Sequence, residues 1–412
     1  MHIAAVLLIS TLIALLPSPA SAAEAPVAAA AEQELQAAWE RMLDRLKAAG
    51  PQILALDRGD ALVAAEGYQY LAMLTGMAIE REQYFHDAAR PVLGRNLDLY
   101  RKIGLDASDN TYRMVRFEPG GLYVIRGQRG NSRYLGFQLN RGEAAVGNLN
   151  DGQMRFEPDG SFAVYLGGEP RPQNWMPLPE GADNLYVREI FIDWASERGS
   201  PMWIERLDRV QAPASPDAAT MAARFDRIAS RVERDIAMWE SYVSRLRKDR
   251  RNSFATPRAT TSQGGSADNL YAGAYFSLAA DEVLLIETER VDAAFWTVQL
   301  GNTWFQSLDY QYRQGSLNSL QATPDPDGRF RIVVSHADPA YANWLDTGGR
   351  REGVVYYRWN QAAAQPAAPK ARVLKLAELP AAMPLDSARI DTAERERRLR
   401  ERYAEVARRF AL

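Results

Sequence analysis

The stretch Asp109-Asn110-Thr111-Tyr112 returns further along the chain as Asp268-Asn269-Leu270-Tyr271. Other segments recur in the same order: Phe137-Gln138-Leu139 as Val298-Gln299-Leu300, Asp159-Gly160-Ser161-Phe162 as Asp327-Gly328-Arg329-Phe330, and Asn174-Trp175 as Asn343-Trp344. The separation between matching segments grows steadily from the first pair to the last. Ordered recurrence of this kind is typical of an internal duplication with small loop insertions, so we expect two homologous copies of one structural unit.

Each copy has the sequence pattern of a β unit. Short apolar runs, such as Tyr123 to Ile125 and Phe162 to Tyr165, are separated by Gly, Asn, Asp and Pro, which favour turns. The runs follow one another without helices between them, so each unit is expected to be an antiparallel β-sandwich of jelly-roll type. Each copy is also expected to close on a strand that ends in a tryptophan, at Trp194 and at Trp359.

Helical periodicity before, between and after these units makes the expected fold class mixed α and β, mainly β. The expected parts are, in chain order, a signal peptide (1–22), a helical N-terminal segment (23–100), the first β unit (101–212), a linking helix (213–252), a linker (253–267), the second β unit (268–361), and a linker with a C-terminal helix (362–412). In the N-terminal segment, Gly50-Pro51 predicts a break, and a second helix is expected from Asp60 to His86.

The C-terminal helix is rich in arginine, which raises the question of a membrane or nucleic-acid surface. Acidic residues are interspersed among the arginines, so we expect a solvated amphipathic helix that docks on the body of the protein. Its docking face is expected to consist of Leu399, Tyr403, Val406 and Phe410.

The first residues have the pattern of a secretory signal. A mainly apolar run from Ile3 to Leu16 precedes Ala20-Ser21-Ala22, which is a small-residue cleavage motif. The run is too short to span a bilayer as a mature helix, and no later segment is apolar enough to do so. We therefore expect export to the periplasm, with an uncleaved membrane anchor as the alternative.

The composition excludes several classes of protein and of site. The 412 residues are 47% hydrophobic and carry a net charge of −3, without the basic stripe of a nucleic-acid-binding protein. The absence of cysteine excludes disulfides and thiolate catalysis. After signal removal His86 and His336 are too few for a three-histidine metal site, and neither a metal nor another cofactor is expected.

Several segments together resemble a known bacterial family. They are Ala65-Glu66-Gly67-Tyr68-x-Tyr70-Leu71, Asp109-Asn110-x-Tyr112, Leu300-Gly301-Asn302-x-Trp304-Phe305-x-Ser307-Leu308-Asp309-Tyr310, Asn343-Trp344-Leu345-Asp346-Thr347-x-Gly349 and Arg358-Trp359. Over nearly the whole mature chain the sequence is similar to the family called domain of unknown function 1214. The resemblance implies two β-sandwich units with helical additions and implies no activity. Related proteins carry a partner domain, domain of unknown function 1254, whose place is occupied here by the helical N-terminal segment.

Standard catalytic signatures are missing from the sequence. It contains no Gly-x-Ser-x-Gly, His-Glu-x-x-His or P-loop pattern. The remaining catalytic candidates are Asp309 as base or nucleophile, with Tyr310 or His336 as acid.

The stronger indication of a site comes from a difference between the copies. The stretch from Leu300 to Asp327 is longer than its counterpart from Leu139 to Asp159, and it is dense in aromatic and polar side chains. Such a mixture suits a pocket for a polar ligand. The ligand-binding candidates in and around it are Asn302, Trp304, Ser307, Asp309, Tyr310, Arg313, Asn318, Gln321, Asn343, Trp344 and Arg358. The alternative is a long loop whose polar side chains satisfy its own backbone.

Three functions remain open at this point. The first is a non-catalytic protein that binds a small polar or glycan-like ligand through the second unit. The second is a hydrolase or lyase that uses Asp309 with Tyr310 or His336. The third is a structural or assembly protein in which the sandwiches form a homo-oligomer.

Overall fold

The computed structural model describes residues 20–56, 59–85, 88, 90–209 and 215–411, with side chains from residue 29 onward except those of 84–85. His86 and most of the predicted signal peptide lie outside the described residues. The helices are α1 (Ala20–Leu56), α2 (Ala61–Glu80), α3 (Ala218–Asp249), α4 (Leu379–Ala382) and α5 (Thr392–Phe410), and a π-helical turn at Arg81–Phe85 continues α2. None of the helices in the described ranges has both the length and the apolar character that a membrane span requires.

Helices α1, α2 and α3 form a helical layer around a common apolar core. Met42 and Ile53 of α1, Leu74 of α2 and Ile236 of α3 are all buried there. Trp304, which belongs to the second β unit, also enters this core and donates a hydrogen bond from Nε1 to Val63 O (3.0 Å). The helical layer is therefore attached to the second unit through a buried tryptophan.

Helix α1 continues through Gly50-Pro51, where the sequence predicted a break. Ala49 and Ile53, on either side of this pair, are 2% and 0% exposed. Burial of these side chains outweighs the low helix propensity of glycine and proline, so the predicted break was wrong. Helix α2 begins at Ala61, directly after Asp60, where the sequence predicted its start. The Asp60 side chain caps the helix by accepting hydrogen bonds from two amides of the first turn.

The first β unit consists of two facing sheets. Its strands are β1 (Gly94–Leu97), β2 (Asn110–Arg116), β3 (Tyr123–Gln128), β4 (Tyr134–Arg141), β5 (Ala144–Asn150), β6 (Ser161–Leu166), β7 (Trp175–Met176), β8 (Asn184–Ile190) and β9 (Met202–Arg206). The front sheet has the order β1-β2-β8-β4-β5 and the back sheet the order β7-β6-β3-β9. Alternate side chains of both sheets, such as Phe137 and Val164, fill the core between them.

The second β unit is built in the same way. Its strands are β10 (Asn269–Ser277), β11 (Glu282–Thr288), β12 (Phe295–Gly301), β13 (Ser316–Asn318), β14 (Phe330–Ser335), β15 (Trp344–Asp346), β16 (Glu352–Asn360) and β17 (Lys370–Lys375). The front sheet has the order β10-β16-β12-β13 and the back sheet the order β15-β14-β11-β17. Strand β17 pairs with β11 and completes the back sheet. The second unit therefore extends beyond residue 361, where the sequence placed its end.

The two units match strand for strand, apart from the extra edge strand β1. Even the short parallel pairs of strands correspond, since β6 pairs with β7 in parallel and β14 pairs with β15 in the same way. The fold class expected from the sequence, mainly β with two sandwich units and surrounding helices, is confirmed.

The predicted match between Trp194 and Trp359 was wrong. Tyr112 pairs with Arg188 and Tyr271 pairs with Arg358, so these two arginines are the equivalent residues of β8 and β16. Trp359 lies inside β16, whereas Trp194 follows the end of β8. The strand register therefore shows that Trp194 and Trp359 do not occupy equivalent positions in the two units.

The chain that leads into each front sheet docks on the front sheet of the other unit. We call residues 104–109, before β2, and 263–268, before β10, the leading segments. Gln299 in β12 accepts a hydrogen bond from Ser108 N (3.2 Å) and donates one to Asp106 O (2.7 Å). Gln138 in β4 does the same with Ala267 N (2.9 Å) and Gly265 O (3.2 Å). Each unit is thereby completed by backbone from its neighbour.

The aspartate at the end of each leading segment extends this exchange. Asp109 is 1% exposed and its Oδ1 accepts from Asn318 Nδ2 of the second unit (2.8 Å). Asp268 accepts in turn from Asn150 Nδ2 of the first unit (2.9 Å). The repeated Asp-Asn-x-Tyr motif therefore joins the two units by equivalent bonds in both directions.

Helix α5 docks through arginines as well as through apolar side chains. Of the predicted face, Val406 is fully buried, whereas Tyr403 remains 44% exposed. Arg402 donates from Nη2 to Ser316 O (2.7 Å), and its guanidinium lies 4.6 Å from the centre of the Trp194 ring. Burial lowers the pKa of Arg402 to about 10. The expectation of a purely apolar docking face was incomplete, because cation–π contacts carry part of the interface.

Asp109→Ala tests the exchange between the units. The substitution removes the acceptor that the buried Trp194 Nε1–H shares with Phe191 O, and it leaves one of the two buried Nδ2–H groups of Asn318 without an acceptor, while the other still bonds to Ile192 O. We expect the free energy of unfolding to fall by roughly 2–5 kcal/mol, measured by chemical denaturation. Asp281→Ala, at a 68% exposed side chain, is the control and should change it by less than about 0.5 kcal/mol. Equal effects of the two substitutions would contradict this account.

Two glycines of α2 give a matched test of the Trp304 contact. A Cβ at Gly67 would lie 2.4 Å from the Trp304 ring and 2.5 Å from Ile53, whereas one at Gly76 would meet nothing within 4 Å. Gly67→Ala should therefore lower the free energy of unfolding by about 1–3 kcal/mol. Gly76→Ala should raise it by about 0.5–1 kcal/mol, because alanine is the better helix former. Thermal and urea unfolding of both variants measure the difference.

Candidate functional site

The polar stretch of the second unit runs from the end of β12 through β13 and the turn after it, and several of its side chains bond to its own backbone. Asn302 is 5% exposed, and its Oδ1 accepts from the amides of Trp304 and Gln306 (both 3.0 Å). Gln321 Oε1 accepts from Asn318 N (3.2 Å), while the Asn318 side chain bonds to the first unit. Three of the predicted ligand-binding residues are thus engaged within the protein, as in the alternative interpretation.

The three catalytic candidates do not share one environment. Asp309 is exposed and accepts from two amides of its own turn. Tyr310 is 3% exposed in an apolar cluster with Phe191 and Trp194, and burial raises the pKa of its hydroxyl well above the ordinary value. His336 contacts Thr347 Oγ1 through Nδ1 (2.9 Å). Asp309 forms no hydrogen bond with Tyr310 or His336 within the described residues, and a tyrosine with a raised pKa is a poor acid near neutral pH.

Ser307 and Arg313 are each paired with a carboxylate of the protein. Ser307 Oγ donates to Asp106 Oδ2 (2.8 Å), and Arg313 Nη1 lies 2.9 Å from Asp346 Oδ2. Both predicted ligand-binding side chains already have a partner in the fold.

The two Asn-Trp pairs hold equivalent turns. Asn343 accepts from Thr323 N (2.8 Å) and donates to Thr323 O (2.7 Å), as Asn174 does with Arg155 (2.9 and 2.7 Å). Trp344 is 8% exposed and donates from Nε1 to Ser335 O (3.3 Å). Because the same pattern occurs in both units, these contacts support a structural role for Asn343 and Trp344.

Trp304 and Arg358 are the predicted ligand-binding residues that line the two cavities described below. They line different cavities, so the structure does not gather the predicted set around one site. Binding by the other members of the set remains a prediction from the sequence.

A cavity of about 760 Å³ lies between the helical layer and the second unit. We call it the helix–sandwich cleft. Its walls come from the start of α2, the C-terminal half of α3, the end of β10 and the turns at 303–304 and 350–352. Sites for small molecules have volumes of about 300–1,000 Å³, so the cleft is of suitable size for one.

Carboxylates in the cleft already have partners in the protein. The acceptor–donor pairs are Asp60 with Leu62 N (2.9 Å), Glu66 with Arg350 Nε (2.7 Å), Glu240 with Ser244 Oγ (2.7 Å), Glu282 with Ala279 N (2.8 Å) and Glu352 with Tyr275 OH (2.8 Å). Arg247 and Arg351 line the same cleft, and no carboxylate of the described residues forms an ion pair with either. Thr303 Oγ1 is buried at the cleft with no hydrogen-bond partner among those residues. Arg247 and Arg351 are therefore cations of the cleft that form no ion pair within the described part of the chain.

Sequence reasoning did not identify Arg247 or Arg351 as site residues. Arg247 lies on the polar side of α3, and Arg351 follows the turn before β16. The available signal was the cluster Arg350-Arg351-Glu352 together with the amphipathic pattern of α3. Both patterns are also typical of solvated surfaces, so they did not point to a cleft.

A second cavity, of about 130 Å³, lies against α3 where the two leading segments dock. We call it the inter-unit cavity. Arg188 and Arg358 line it from equivalent strand positions, with their guanidinium groups 5.2 and 5.4 Å from the ring centres of Tyr186 and Tyr356. Arg81, from the turn after α2, also lines it and is 8% exposed. Burial, reinforced by the nearby charge of Arg231, lowers the pKa of Arg81.

Among the residues that the structure describes, no group of three or more histidine and carboxylate side chains lies close enough together to hold a metal ion. The chemistry of both cavities is instead that of arginine, tyrosine and amide side chains.

Residues 131–189 and 272–363 match a family described as protein of unknown function (DUF1214), and each matched region lies within one β unit. No curated protein matches the chain.

Solved structures give a second comparison. The chain is similar to the crystal structure of an uncharacterized protein from Burkholderia cenocepacia, with 34% identity and a TM-score of 0.80 over 84% of this chain and 99% of that chain. It also matches the VPA0106 protein from Vibrio parahaemolyticus, with 12% identity and a TM-score of 0.41 over 75% of this chain and 98% of that chain. The family resemblance inferred from the sequence is confirmed by the two matched regions: the chain belongs to the DUF1214 family of proteins of unknown function.

Proposed function

We propose that this protein binds a small hydroxylated ligand with an acidic group in the helix–sandwich cleft. The observation that carries the proposal is the imbalance of partners in the cleft. Arg247 and Arg351 have no carboxylate partner among the described residues, whereas the carboxylates beside them are engaged. An anionic group on a ligand would provide the missing charge-assisted hydrogen bonds.

Thr303 and Tyr275 also line the cleft. Thr303 Oγ1 lies buried in the wall of the cleft and has no protein partner in the described ranges. Tyr275 is 1% exposed and lies beside Arg247 with its ring 6.0 Å from the guanidinium, so it helps to fix the position of that cation. Cationic side chains in a cleft of this size suit the acidic group of a sugar acid or a similar polyol acid.

Binding without catalysis is favoured over a hydrolase or lyase. Neither Asp309, Tyr310 nor His336 lines the helix–sandwich cleft. Its carboxylates bond to arginine, hydroxyl or amide donors and do not form a free acid–base pair.

We also propose that the two units arose by duplication and that the protein is exported to the periplasm. Support for the duplication comes from the equal strand orders and from the equivalent bonds of Gln138 and Gln299. Support for export comes from the apolar run before Ala20-Ser21-Ala22.

Glucuronate and glucose form a matched pair of probes for the cleft, because they differ in the acidic group. We expect glucuronate to bind with a measurable heat in calorimetry and glucose to bind much more weakly. Arg247→Gln and Arg351→Gln should each weaken glucuronate binding about tenfold or more, because each removes a charge-assisted hydrogen bond.

Arg400→Gln, on the far helix α5 at a 71% exposed side chain, is the control and should leave glucuronate binding unchanged. Equal binding of glucuronate and glucose, or equal binding by all three variants, would contradict a cationic site in the cleft.

Export can be tested on the full chain expressed in a Gram-negative host. We expect the protein in the periplasmic fraction with Ala23 as its first residue, measured by intact mass and N-terminal sequencing. Changing Ala20 and Ala22 to bulky residues should retain the leader. A cytoplasmic product that keeps Met1 in the unmodified chain would reject the proposal.

A further inference from the structure

The inter-unit cavity contains three arginines that form no ion pair with a carboxylate of the described residues. Arg188 donates from Nη2 to Gly264 O (2.7 Å), Arg358 donates from Nη1 to Gln299 Oε1 (2.9 Å), and Arg81 donates from Nη2 to Asn96 Oδ1 (2.8 Å). All these acceptors are neutral. Each arginine is at least nine-tenths buried, with exposures of 8%, 7% and 8%. Burying a guanidinium with only neutral partners is unfavourable, because an opposite charge must normally compensate for the lost hydration.

The acidic residues of the same cavity do not compensate for these arginines. Asp235 accepts from Arg231 Nε (2.7 Å), and Glu143 lies 3.6 Å from the same guanidinium. Asp106 faces Ser307, which donates to it from both its hydroxyl and its amide (2.8 and 3.1 Å). Two of the three carboxylates thus lie beside Arg231, and the four arginines of the cavity exceed its three carboxylates by one positive charge.

Two buried N–H donors at this cavity also have no acceptor. Arg81 Nε and Trp239 Nε1 are inaccessible to solvent, and neither has a hydrogen-bond partner among the described residues. Both residues line the inter-unit cavity. Buried donors in folded proteins nearly always have a partner, so these two groups leave hydrogen-bonding capacity unused in the wall of the cavity.

We propose that the inter-unit cavity is a binding site for a compact oxyanion of the phosphate class. Arg188 and Arg358 hold the anion from equivalent positions of the two units, and Arg81 donates to it from the helical layer. The volume of about 130 Å³ is enough for a single tetrahedral oxyanion and is small for a sugar phosphate. Planar guanidinium forks are well suited to such oxygens.

The anion can reach this site from the side of the leading segment at 263–268. Gln263 is exposed at that edge of the cavity, and the Glu143 side chain is 39% exposed there. A bound anion would contact both β units and the helical layer at once. It would therefore stabilise the arrangement of the three parts, and this site is independent of the helix–sandwich cleft proposed above.

Calorimetric titration of the full mature chain with inorganic phosphate tests the proposal directly. Sulfate and glucose 6-phosphate serve as the other arms, and chloride at matched ionic strength is the control for general screening. We expect phosphate to bind and to raise the melting temperature by several degrees at about a hundred times its Kd. Sulfate should bind as well, whereas glucose 6-phosphate should not, because the cavity is too small.

Substitutions at and away from the inter-unit cavity distinguish phosphate binding in the cavity from nonspecific phosphate binding at the surface. Arg188→Gln and Arg358→Gln should each weaken phosphate binding about tenfold to a hundredfold. Arg234→Gln, on the exposed side of α3, should leave binding unchanged. Arg81→Met should remove the phosphate response and melt no lower than the unsubstituted protein in phosphate-free buffer, because it removes an unpaired buried charge.

Three results would contradict the proposal, and two of them are measured on the unsubstituted protein. If phosphate and chloride shift the melting temperature of the unsubstituted protein equally, the cavity holds water only and the proposal is wrong. It is also wrong if Arg234→Gln reduces phosphate binding as much as Arg188→Gln does. Tight binding of glucose 6-phosphate would place the anion outside the cavity.

Discussion

The exchange of leading segments between the two front sheets is the interaction on which the rest of the structure depends. Gln138 and Gln299 each bond to both an N–H and a C=O of the opposite leading segment. These glutamines are 2% and 1% exposed, so their amides have no access to water as an alternative partner. Neither sandwich can satisfy its own front sheet, and the two units are consequently held in one relative position. The helical layer, the cleft and the inter-unit cavity are all located by that position.

Much of the architecture could be predicted because its signals are local. Alternating apolar residues indicate strands, and Asp60 marks the start of α2 by its capping chemistry. The Asp-Asn-x-Tyr repeat was visible in the sequence, but its function as a link between units was not. The partners of Asp109 and Asp268 are Asn318 and Asn150, which lie far away along the chain. The strand register also shows that Trp194 and Trp359 are not equivalent residues, and a register cannot be read from the sequence alone.

The candidate sites were harder to predict for a related reason. The composition of the polar loop after β12 predicted a binding site. Its polar groups, such as those of Asn302 and Ser307, bond instead to the loop itself or to neighbouring parts of the protein. The arginines of the inter-unit cavity come from three separate elements, and each resembles an ordinary surface charge when it is considered alone. Burial distinguishes them, and burial of a charged residue depends on tertiary packing that no local pattern encodes. The two units share their scaffold, whereas each cavity also depends on residues of the helical layer.

The order of the leading segments along the chain has a consequence for synthesis. A ribosome releases every strand of the first unit, from β1 to β9, before it reaches residues 263–268. Until that segment emerges, Gln138 and Arg188 lack the backbone groups that they bond in the finished protein. The first sandwich can form its own core from its own strands, but these buried polar groups of its front sheet stay without their partners until then. Its completion is delayed until translation has passed α3, so the two units acquire their final structure together.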